Sequence, residues 1–77
     1  MPFPQNLRRL RLERFLSQAD LARQSGLHTI TISHLETGRA KPSSRTVRAL
    51  AQSLGVALGV LATPAEVAEA HRRAAPS

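Results

Sequence analysis

Between Gln18 and Thr37 the chain spaces a small residue, a glycine and four apolar residues as two short, steeply crossing helices require. Ala22 is small where the two backbones would approach. Gly26 can open a tight turn, because glycine tolerates positive φ. Leu21, Leu27, Ile32 and Leu35 would lock the two helices together. Any one of these positions is weak evidence, but all six at consistent spacing constrain the fold strongly.

Punctuation on either side extends the pattern. Pro4 suits a first helical turn. Gln5 to about Arg14 reads as helix, with Leu7 and Leu10 inward, Arg11 and Arg14 at the edge of that face and Leu12 outside it. Ser17 and Asp20 are spaced to cap each other's backbone N–H groups, so a second helix starts there and ends at Gly26. The segment 28–37 is ambiguous. Thr29-Ile30-Thr31-Ile32-Ser33 alternates polar and apolar and is mostly β-branched, which by propensity is strand. A lone strand would have no partner, however, since nothing else in the sequence reads as strand. Leu27, Ile32 and Leu35 also continue the face of Leu21 and Ala22. A helix is therefore expected, stopped by Gly38.

Arg39-Ala40-Lys41-Pro42 reads as a loop and Ser43 as the next cap. Val47, Leu50, Ala51 and Leu54 make a clean helical stripe, with Arg45, Arg48 and Gln52 facing away and Gly55 as terminator. Val56, Leu58 and Leu61 predict a short fifth turn that closes the core. Thr63-Pro64-Ala65-Glu66 is a second capping box with proline at the first helical position. It begins a helix to about Ala74 whose inward face (Val67, Ala70, His71, Ala74) is thin. Ala75-Pro76-Ser77 is expected to be disordered. The fold class is all-α: five helices in residues 1–62, then a C-terminal helix and tail in 63–77 for dimerisation or partly disordered.

Composition narrows the function. A chain of 77 residues holds one modest core. Lacking Trp and Tyr, it must build that core mainly from Leu, Ile, Val and Ala. There is no cysteine, hence no disulfide or thiolate site, and no run long enough to span a membrane. Net charge is +6. The excess lies entirely in residues 1–55, because Glu66 and Glu69 cancel Arg72 and Arg73 in the remainder. Such a field attracts a polyanion, most commonly nucleic acid.

Leu16-Ser17-Gln18, Asp20-Leu21-Ala22, Gly26-Leu27, Ile32-Ser33, Leu35-Glu36, Gly38, Pro42-Ser43, Leu50-Ala51 and Leu54-Gly55-Val56 together resemble the Cro/cI-type, XRE-like (lambda-repressor-like) helix-turn-helix family. The resemblance runs from about Leu7 to Leu61 and implies a compact five-helix bundle. The chain departs from the family pattern at Phe15, where glycine or a small polar residue is common. It departs again at His28, where Ser or Thr usually caps, and at Ala57 and Gly59, where a polar helix start is usual.

In this motif the second helix lies in the major groove. At about 100° per residue, Thr29, Ile30, Ser33 and Thr37 point outward, with His34 at the edge. These are the candidate base-reading residues: Ile30 and the Thr29 methyl for thymine methyls, Ser33 and His34 for polar edges. No Arg, Gln or Asn on this face offers a bidentate contact, so shape, water and phosphates should contribute much of the specificity. Candidate phosphate contacts are Gln18, Arg39, Lys41, Ser43 and Arg45, near helix N-termini or in the loop. The resemblance implies that Gln18 also braces the reading helix, and that Arg11 and Glu36 form a structural pair. The implied partner is an inverted-repeat DNA site bound by a homodimer through Val56 to Leu61.

Other readings are weaker. Ser33, His34 and Glu36 point in different directions on a helix and cannot form a triad. His28, His34 and His71 lack metal-ligand spacing, and there is no glycine-rich phosphate loop. No enzyme, cofactor or metal is expected. Within DNA binding, an antitoxin with a toxin partner held by residues 63–77, or a restriction–modification controller, shares the fold. A protein-interaction module without DNA binding would also use an exposed Ile30, but the charge disfavours it. Localisation is expected to be cytoplasmic and nucleoid-associated, of bacterial or phage type.

Overall fold

In the computed structural model, residues 2–74 are described. They form α1 (Phe3–Glu13), α2 (Gln18–Ser25), α3 (Thr29–Glu36), α4 (Ser44–Leu54), α5 (Leu58–Leu61) and α6 (Pro64–Ala74). Among the described residues there is no strand. The expectation for Ala75-Pro76-Ser77 lies outside them.

The caps act as their chemistry dictates. The Ser17 hydroxyl accepts from Asp20 N–H at 2.9 Å and Asp20 Oδ2 accepts from Ser17 N–H at 2.9 Å. The Ser17 backbone N–H, then its hydroxyl, hold the Asp20 carboxyl below the ordinary carboxylate range. Gly26 and Gly55 close α2 and α4 in the left-handed region. α1 starts at Phe3, two residues before Gln5, with Pro2 as its N-cap, so Pro4 takes the second helical position.

The core is a cluster of Phe3, Leu7, Leu10, Leu21, Ala22, Ile32, Leu35, Val47, Leu50, Ala51, Leu54, Leu61, Ala62 and Ala70. α2 packs on α3 and α4, α1 on α3 and α5, and α4 on α5 and α6. The β-branched run in α3 is helical because coiling separates its isoleucines. Ile32 is wholly buried while Ile30 is 61% exposed, whereas a strand would turn both to one face. One expectation fails at α5. Leu58 is exposed, while Leu61 closes the core as expected, with Val56 packed against it and Ala62 buried beside it. A four-residue helix, started by Ala57 without a side-chain cap, is too short for periodicity to fix its phase.

Phe15 explains its own departure from the family pattern. After α1, Leu16 N–H donates to Arg11 O at 3.2 Å and Phe15 N–H to Leu12 O at 3.0 Å. This is a Schellman stop with Phe15 in the position that Gly55 occupies after α4. Its φ is +55°, a region that costs a side-chain-bearing residue about 1–2 kcal/mol. The ring is 95% exposed and recovers little by packing. Phe15→Gly is therefore expected to stabilise the fold by about 0.5–1 kcal/mol after the added unfolded-state entropy of glycine. Urea denaturation checks this, and an unchanged or lower midpoint would contradict it.

Candidate nucleic-acid interface

α2 and α3 meet through the Gly26-Leu27-His28 turn, where Leu27 N–H donates to Ala22 O at 3.0 Å. His28 is the N-cap of α3 but makes no side-chain cap bond, so the first turn of α3 presents N–H groups without an intrahelical acceptor.

Beneath α3 lies a charged clamp. Arg11 Nε donates to Glu36 Oε2 at 2.6 Å and Arg11 Nη2 to Glu36 Oε1 at 2.9 Å, a bidentate pair. Arg11 Nη1 donates to Leu16 O at 2.8 Å. The two side chains are only 9% and 3% exposed. Glu36 ends α3, where the helix dipole disfavours an anion, and Arg11 offsets that. In turn Glu36, foremost through its hydrogen bonds, raises the guanidinium pKa. Gln18 Nε2 also donates to Glu36 Oε1 at 3.1 Å. One carboxylate thus ties α1, the start of α2 and the end of α3.

On the outer side of α3, Thr29, Ile30 and Thr37 are exposed, and Ser33 and His34 are half-buried. The Thr37 hydroxyl donates to Ser33 O at 3.0 Å, leaving its oxygen free to accept. His34 contributes structurally as well: its carbonyl accepts from Arg39 N–H at 2.9 Å and Ala40 N–H at 3.2 Å, which sets the path of the following loop.

Arg39, Lys41 and Arg45 are exposed. Ser43 is half-buried and its hydroxyl caps α4 by accepting from Thr46 N–H at 3.3 Å. Helix geometry leaves the N–H groups of Gln18 and Ala19 without intrahelical acceptors, as it does those of Ser44 and Arg45. Two helix N-termini, those of α2 and α4, and three exposed cations therefore lie in the elements that precede and follow α3 in the chain. Among the described residues no group of His, Asp and Glu is placed to hold a metal ion, and no helix is long and apolar enough to cross a membrane.

The helix-turn-helix family profile matches residues 7–61. The chain belongs to the Cro/cI-type helix-turn-helix family. In this helix-turn-helix protein α2 and α3 are the motif helices, and α6 lies beyond the matched span. An uncharacterized HTH-type transcriptional regulator of Sinorhizobium fredii, y4dJ, is 41% identical over 61 residues, covering 79% of each chain. Among solved structures, the restriction-modification controller protein C.AhdI from Aeromonas hydrophila superposes with a TM-score of 0.75 at 36% identity. That match covers 77% of this chain and 89% of that one. The P22 c2 repressor, solved in complex with a synthetic operator, gives a TM-score of 0.76 over 82% of this chain and 96% of its own. At 22% identity it supports the shared fold alone.

Sequence reasoning missed two contacts around this interface. Phe3 N–H donates to Glu66 Oε2 at 2.8 Å, and Arg73 Nε donates to Pro42 O at 3.0 Å. Both bring α6 onto the helix-turn-helix bundle. The capping box at Thr63 signals only the start of α6, not what α6 touches.

Proposed function

We propose that the protein is a sequence-specific transcription regulator, a repressor, that lays α3 in the major groove of double-stranded DNA. The observation that carries this is the split of α3 between an anchored inner face, Ile32 and Leu35, and an open outer face holding Thr29 and Ile30. β-branched residues are poor helix formers where packing gives nothing back. Exposed Thr29 and Ile30 weaken α3 and gain nothing in water, but their methyls suit thymine C5-methyl groups. Ser33, His34 and Thr37 supply polar reach along the same edge.

Phosphates on either side meet the N-terminal N–H groups of α2 and α4, Gln18, Ser43, Arg39, Lys41 and Arg45. Gln18 can do this while held by Glu36, because its backbone N–H and side-chain oxygen remain available. Two copies pair through the α5 region. Leu58 and Val60 are exposed there, beside an apolar groove of about 590 Å³ between α4, α5 and α6. A symmetric dimer then reads half-sites about 34 Å apart. The likeness to C.AhdI favours a second reading within DNA binding, a restriction–modification controller, which differs in the genes it governs rather than in how it holds DNA.

Titration of duplex DNA at several salt concentrations tests the assignment. Arg39→Ala should weaken binding to all sequences and reduce the slope of log affinity against log salt by about one. An unchanged slope removes Arg39 from the phosphate contacts, and a stoichiometry of one chain per inverted repeat contradicts the dimer.

A further inference from the structure

α6 lies outside the matched helix-turn-helix span, yet it is fastened at several points. Glu66 Oε1 accepts from Thr63 N–H at 2.9 Å and Glu66 Oε2 from Phe3 N–H at 2.8 Å. One carboxylate thus caps α6 and satisfies a first-turn donor of α1. Burial pushes the Glu66 carboxyl up, but these N–H groups outweigh it and leave the group below its ordinary range. One turn on, Ala70 is wholly buried in the core.

The far end of α6 reaches the loop between α3 and α4. Arg73 Nε donates to the Pro42 carbonyl at 3.0 Å, and Arg73 Nη1 is held by Glu69 Oε1 at 3.3 Å. A cavity of about 140 Å³, lined in part by Phe3, Ala40, Pro42, Glu69 and Arg73, separates the loop from α6. The loop is anchored differently at its other end, where Arg39 and Ala40 N–H groups bond to His34 O. Lys41 and Pro42 lie beyond that anchor, and proline has no N–H to offer. Among the described residues, Arg73 is the hydrogen-bonding partner of the Pro42 carbonyl.

We propose that Arg73 is a positioning residue for DNA binding: with Glu69 it holds the Lys41-Pro42 segment from the α6 side, so that Arg39 and Lys41 stand ready for phosphate. This rests on the DNA-binding reading above. α6 is then a brace for the phosphate-contacting loop rather than an independent tail. Charge alone does not explain the choice of residue, because the adjacent Arg72 also pairs with Glu69 but, among the described residues, has no hydrogen bond to the loop.

That neighbour provides the control. Arg73→Ala and Arg72→Ala remove the same charge from the same turn, and only the first removes the bond to Pro42. With mixed-sequence duplex DNA as probe, Arg73→Ala should bind about fivefold more weakly than Arg72→Ala, the equivalent of one hydrogen bond. Arg73→Lys should recover most of the loss. In the free protein, amide hydrogen exchange at Arg39 and Ala40, whose N–H groups are bonded to His34 O, should quicken in Arg73→Ala and not in Arg72→Ala. Equal affinities in the two alanine variants overturn the proposal. So does weakened binding with unchanged exchange, which would make Arg73 a direct phosphate contact, or faster exchange with unchanged binding. A wild type that binds no duplex would remove the DNA-binding reading and this proposal with it, while exchange would still report whether Arg73 holds the loop.

Discussion

Glu36→Ala should lower the free energy of unfolding by about 3 kcal/mol, the cost of leaving a desolvated charge without its partner. Arg11 would keep only its bond to Leu16 O, with its guanidinium still almost out of water. Gln18 would lose its acceptor at the same time. For a domain of this size, with a total stability in the usual range of about 5–15 kcal/mol, that is a large fraction. Denaturant unfolding should show a lower midpoint with an unchanged slope. The pair is more damaging to break than to replace. Arg11→Met combined with Glu36→Leu should recover much of the loss, because apolar substitution of a buried ion pair is often near neutral. The cycle Arg11→Ala, Glu36→Ala and the double variant should give a coupling of about 2 kcal/mol. Coupling near zero would mean that the clamp does not hold α1 to α3.

The second large effect concerns recognition and runs opposite to stability. Thr29→Ala combined with Ser33→Ala should raise fold stability by a few tenths of a kcal/mol, since alanine is the better helix former. Binding to the preferred operator should fall on the order of a hundredfold, at about 1–3 kcal/mol for each lost base contact. Binding to unrelated duplex, carried by phosphate contacts, should change little. Tighter folding with poorer discrimination is what a helix kept for reading bases would show. Loss of both together would mean that the two residues serve the fold.

What could be read from the sequence follows from how local each determinant is. The Ser17–Asp20 and Thr63–Glu66 boxes, Gly26, Ser43 and Gly55 act within a few residues, and each helix boundary they imply is found. α3 was legible only by setting the core pattern of Leu27, Ile32 and Leu35 above β-propensity, a case of burial overriding local preference. Phe15 could not be read as a left-handed stop, because its residue type argues against the conformation it adopts. Leu58 was misplaced because a single turn has no measurable period. The ties from Glu66 to Phe3 and from Arg73 to Pro42 span 63 and 31 residues, and no local signal encodes them. On α3 the exposure of Thr29, Ile30 and Thr37 was legible from helical phase. His34, expected at the edge, is half-buried as that phase implies, whereas the half-burial of Ser33 was not legible, because it depends on neighbouring elements.

The central claim is that the outward residues of α3 choose the DNA sequence. Selection of bound duplexes from a random pool, run in parallel with the wild type and the Thr29→Ala/Ser33→Ala variant, tests it most directly. The wild type should enrich an inverted repeat, and the variant should lose preference at particular positions within each half-site. An enriched motif that is identical for both proteins, or no motif for the wild type, would contradict the claim.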